Sequence, residues 1–74
     1  MKITVKLFAS FRVGRLAIAQ KEFPEGTTVA KIVAEEGLPV KDMGATLVNG
    51  RHVGMEHVLN EGDTLAFFPL AGGG

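Results

Sequence analysis

The chain has 74 residues, 46% of them hydrophobic and 22% charged, with eight basic side chains balanced by eight acidic ones and no cysteine. A domain this short buries only about 60% of the surface its unfolded chain exposes, which excludes a second domain and a deep cleft. Zero net charge provides no field for nucleic acid or an anionic membrane, and the lack of cysteine excludes a disulfide framework, a thiolate metal site and a cysteine nucleophile.

Residues 2–8 alternate, with Ile3, Val5 and Leu7 on one face and Lys2, Thr4 and Lys6 on the other, as in a half-buried strand. That alternation stands where a signal peptide would have a continuous apolar run, and no window approaches the roughly 20 apolar residues needed to cross a bilayer. A soluble, cytoplasmic protein is expected. Residues 9–15, with Gly14, read as a connection in which Ser10 is a turn residue, and 16–23 as a second extended run folded back antiparallel. Pro24, Glu25 and Gly26 carry turn chemistry. Thr28 then suits a helix N-cap, Val29, Ile32 and Val33 form an apolar stripe, and Gly37 and Pro39 stop the helix. Residues 45–48 lead into Asn49-Gly50, a strong hairpin signal, with 51–53 as the return strand. Glu61, Gly62 and Asp63 make another turn before a mostly apolar last strand over 64–68, which Pro69 is expected to end.

One helix of about two and a half turns can cover one face of a small sheet. The order of elements therefore predicts an α+β fold of the β-grasp kind, with a mixed sheet of four to five strands and the helix packed on one face. Pairing the first and last strands as parallel neighbours in the middle would bury both apolar runs. The expected division is a domain over residues 1–69 and a flexible glycine-rich tail over 70–74.

Side-chain chemistry is sparse. His52 and His57 are five apart, which fits neither a helical metal pair nor a zinc spacing, so they read as surface residues and no metal site is expected. Glu35 and Glu36 are adjacent on a helix, cannot converge as a two-carboxylate site, and read as a solvated face. Ser10 has no sequence-local base and no nucleophile elbow. Met43 and Met55 read as gap-fillers of the core. Gly72, Gly73 and Gly74 differ, because glycines with nothing after them cradle no phosphate, and without Cβ atoms they form the thinnest peptide for threading a narrow channel. Six residues from Pro69 to Gly74 reach at most about 20 Å. A terminal carboxylate is ionised at neutral pH and must be converted to a better acyl donor, such as an acyl-adenylate made from ATP, before it reacts.

Leu7-Phe8-Ala9-Ser10-Phe11-Arg12, Leu47-Val48-Asn49-Gly50 and the run from Glu61-Gly62-Asp63-Thr64 through Phe67-Phe68-Pro69-Leu70 to Gly72-Gly73 together resemble the MoaD/ThiS family of sulfur carriers. That family comprises the small subunit of molybdopterin synthase and the carrier of thiamine biosynthesis. The resemblance runs the whole length and implies a ubiquitin-like β-grasp carrier that is not itself an enzyme and binds no cofactor. A partner related to the ubiquitin-activating enzymes would use ATP to adenylate Gly74, or Gly73 if the last residue is trimmed. A thiocarboxylate formed there would donate sulfur, with Gly72 and Gly73 threading into the partner and Phe67, Phe68, Pro69 and Leu70 docking beside the tail. The aromatic-proline segment favours the molybdopterin branch and the large subunit of molybdopterin synthase as partner. The alternatives are thiazole synthase in thiamine synthesis, carriers for cysteine or tungsten-cofactor synthesis, a modifier conjugated to lysines, and an interaction module with an idle tail.

Overall fold

The computed structural model describes residues 1–70. Among them, strands and helix follow in the order β1 (Lys2–Leu7), β2 (Ile18–Glu22), α1 (Val29–Glu36), β3 (Met43–Val48), β4 (Arg51–His52) and β5 (Thr64–Pro69), with 3-10 turns at Ala9–Arg12 and Val40–Asp42. The sheet order is β2-β1-β5-β3-β4. β1 and β5 pair in parallel from Thr4↔Thr64 to Leu7↔Phe67, and the other neighbours are antiparallel. This is the α+β β-grasp fold, with the first and last strands adjacent and β5 in the middle.

Period-two alternation turns Ile3, Val5 and Leu7 of β1 and Leu65 and Phe67 of β5 toward α1, whose Val29, Ile32 and Val33 close over them. Phe11, Phe23, Leu38, Val48 and Leu59 complete the core, and Met43 and Met55 pack against its edge as expected. Each such side chain contributes roughly 1.5–3 kcal/mol on burial. Packing matters for α1, since eight residues are too few for a stable isolated helix. Its ends are also satisfied. The Val29 and Ala30 amides donate to the carbonyls of His57 and Met55 (3.0 and 2.9 Å), and the Lys31 amide donates to Thr28 Oγ1 at 3.3 Å. Gly37, at φ 69°, turns the chain so that the Leu38 amide reaches the Val33 carbonyl at 3.1 Å.

Several expectations need correction. β3 begins at Met43, two residues before the expected Ala45, and β2 is trimmed to Ile18–Glu22. β5 extends one residue past the expected 64–68 and takes in Pro69 as its last residue, which pairs with Met43 beside a register shift between Met43 and Thr46, where a missing ladder donor is tolerated. Glu36 is not solvated, because its side chain is only 11% exposed and forms an ion pair with Lys21 of β2. The connection after β1 is structured as well, with Phe11 buried and Arg15 donating from Nη2 to the Gly37 carbonyl (3.0 Å) and from Nε to the Glu36 carbonyl (3.3 Å). The Asn49-Gly50 turn has φ 51° and 84°, as the hairpin signal requires. It is tied to the turn before β5: Asn49 Nδ2 donates to Asp63 Oδ1 at 2.9 Å, the Asn60 amide to Asp63 Oδ2 at 2.8 Å, and the Thr64 amide to Asn49 Oδ1 at 3.0 Å.

Candidate functional site

Because β1 and β5 are parallel, both end at the same pole of the molecule, and the chain leaves the sheet there from its central strand. Gly72, Gly73 and Gly74, with Ala71, lie outside the described residues. What the structure defines is the platform before them. Phe8 follows Leu7 as Phe68 follows Phe67, so the parallel register sets the two rings side by side. Their centroids are 4.2 Å apart and their planes 10° from parallel, and both lie on the sheet face away from α1. Leu70, 59% exposed, is anchored by its amide, which donates to the Asp42 carbonyl at 2.8 Å.

The four expected docking residues separate. Phe67 is fully buried and belongs to the core, so it presents nothing to a partner; like Leu65 it faces α1, while Phe68 faces outward. Phe68 and Pro69 are half-buried and Leu70 is exposed at the pole. Phe8, Leu16 (72% exposed) and Ile18 (62% exposed) extend the apolar surface beyond what the sequence indicated. Across the outer face the register aligns Ile18, Lys6, Ala66 and Leu47 in one row, while the next row outward from the tail pole carries Gln20, Thr4 and Thr64. The open face therefore grades from polar to apolar toward the exit of β5. Phe8 was legible in principle, because parallel pairing with Leu7 opposite Phe67 dictates it, but the register is not written in either strand alone.

Other chemistry is not assembled. Among the described residues no group of three or more His, Cys, Asp or Glu side chains is placed to hold a metal ion. His52 lies on β4 and His57 in the loop that caps α1, and the Ser10 carbonyl accepts from the Val13 amide within a 3-10 turn. A cleft of about 210 Å³ between β2 and the end of α1 holds Arg15, Lys21 and Glu36, but these polar groups are engaged with helix carbonyls and with each other. Among the described residues no helix is long and apolar enough to cross a membrane.

A five-stranded mixed sheet with one covering helix and a central final strand define a ubiquitin-like β-grasp protein. The ThiS family model matches residues 5–74, and the chain belongs to that family of small carrier proteins. No curated protein matches the chain. Among solved structures, a candidate molybdopterin converting factor, subunit 1, of Pyrococcus furiosus is 29% identical, with 93% of this chain and 97% of that chain covered and a TM-score of 0.77. The small archaeal modifier protein 1 of Haloferax volcanii is 23% identical (92% and 95% covered, TM-score 0.73). A complex of subunits 1 and 2 of the molybdopterin-converting factor of Helicobacter pylori contains a chain 20% identical (100% of each covered, TM-score 0.69). The last two share the fold.

Proposed function

We propose that this protein is a sulfur carrier working through the carboxylate of Gly74, or of Gly73 after trimming, in the synthesis of molybdopterin. One observation carries the reading: the central strand delivers the chain to the apolar end of an open sheet face, and the sequence continues from there with Ala71 and three glycines. In this reading residues 71–74 act as a thin tail, and Phe8, Phe68, Pro69 and Leu70 form the collar that docks on the enzymes receiving it. The similarity to a candidate converting-factor subunit 1, and the fold shared with a subunit that pairs with a subunit 2, favour the molybdopterin branch and a large-subunit partner.

The chemistry needs two partners. On an adenylating enzyme the glycine carboxylate oxygen attacks the α-phosphorus of ATP and expels pyrophosphate, leaving an acyl-adenylate. A sulfur nucleophile at the oxidation level of sulfide then attacks the carbonyl carbon and expels AMP, leaving a thiocarboxylate. In the synthase this sulfur passes to the pterin precursor and the carboxylate is regenerated with an oxygen from water. The carrier's own contribution is to present an unhindered carboxylate on a rigid base.

Intact-protein mass after incubation with ATP, a cognate adenylating enzyme and a sulfur source tests this reading. The expected gain equals exchange of one oxygen for sulfur, with fragment ions assigning it to Gly74 or Gly73. An unchanged mass, with the enzyme active on another carrier, contradicts the proposal, and lysine-linked conjugates in its place indicate a protein modifier. Thiamine rather than molybdopterin synthesis follows if the charged protein serves thiazole synthase and not the molybdopterin synthase large subunit.

A further inference from the structure

We propose that Gly44 is a positioning residue that aims the C-terminal tail by leaving room on β3 for the tail's root. This inference rests on the carrier reading above. Gly44 lies outside the left-handed region occupied by Gly14, Gly26, Gly37, Gly50 and Gly62, so no turn requires a glycine there. The requirement is space. A Cβ at Gly44 would stand 2.7 Å from the Pro69 carbonyl oxygen, 2.9 Å from that of Phe68 and 2.9 Å from the Pro69 carbonyl carbon. All three are backbone atoms, so no side-chain rotation relieves the clash, and the end of β5 has to move.

The surroundings point the same way. Between the pairs Met43↔Pro69 and Thr46↔Phe67, β3 advances three residues while β5 advances two. The extra residue makes a bulge that bends β3 where the tail departs. On one side of Pro69 the Asp42 carbonyl holds the Leu70 amide at 2.8 Å, and on the other the Phe68 and Pro69 carbonyls lie against Gly44. The proline ring fixes φ between them. Ala71 and three glycines carry nothing larger than a methyl group that could anchor them, so this root fixes the point from which they reach. Four residues reach at most about 14 Å, so a displacement of Leu70 shifts by the same amount the region that the terminal carboxylate can reach. A misplacement of about 1 Å can cost on the order of 100-fold in rate.

The test compares full-length Gly44→Ala with Gly62→Ala, which strains a turn at the opposite end of β5. Pyrophosphate exchange on the adenylating enzyme reads kcat and KM, and amide exchange at Leu70 with the Phe68 ring resonances reads the root. For Gly44→Ala we expect kcat to fall roughly ten- to a hundredfold with KM changed by less than about twofold, and the Leu70 amide to exchange faster. Gly62→Ala should lose stability and keep kcat. A folded Gly44→Ala protein with parental Leu70 and Phe68 signals, or an equal loss of kcat in Gly62→Ala, overturns the proposal. If Gly44→Ala does not fold, Pro69→Gly loosens the same root, and parental kcat in that variant overturns it. A parent chain that is never activated removes the carrier reading, while the Leu70 and Phe68 signals still decide whether Gly44 sets the root.

Discussion

Two adjacent phenylalanines have opposite tasks. Phe67 is sealed between the sheet and α1, whereas Phe68 stacks on Phe8 at the open face. Phe67→Ala should cost about 3–5 kcal/mol in urea unfolding, a large share of what a domain this size possesses. Phe68→Ala loses an aromatic pair worth about 1 kcal/mol and leaves the fold standing. Its effect should fall on association: by titration calorimetry, affinity for the adenylating enzyme should drop about tenfold, equivalent to about 1.4 kcal/mol. The alternation that divides these residues is present in the sequence, since consecutive residues of a strand cannot share a face, but the family resemblance placed both on the docking surface. Gly44 was not, because its role depends on how near β5 comes, and nothing at positions 42–46 encodes that approach.

The turns and caps were legible where the signal is local. Asn49-Gly50, Thr28 and Gly37 act through their own backbone and nearest neighbours, and each performs the task its residue type suggests. Links between elements were not legible. Arg15 completes the end of α1 from a connection 21 residues earlier, and Lys21 draws Glu36 in from solvent across the sheet edge. Asp63 is the most consequential of these links, accepting from both Asn49 and Asn60 while nearly buried. Asp63→Ala leaves those two donors without their partner and should cost about 1–3 kcal/mol in thermal or urea unfolding. Removing Arg15 acts more locally. In Arg15→Ala the Leu38 amide should exchange faster with solvent, with a loss of about 1 kcal/mol or less because the guanidinium is partly exposed.

The described sheet, helix and core lie within residues 1–70, so fold and proposed chemistry should be separable. Deleting Gly73 and Gly74 should leave the unfolding midpoint unchanged and abolish charging with sulfur, as read by calorimetry and intact mass on the same sample. The element order was enough to place β1 beside β5, because both runs are too apolar for an edge. That adjacency also bears on how the molecule is made. A nascent chain that has emerged only as far as Asp63 has the sequences of β1 to β4 but lacks the strand that lies between the β1–β2 and β3–β4 pairs. The longest-range pairing closes last, and loop closure has to precede any gain from it. Fragments released early by stalled synthesis thus lack the assembled sheet face on which the proposed docking depends.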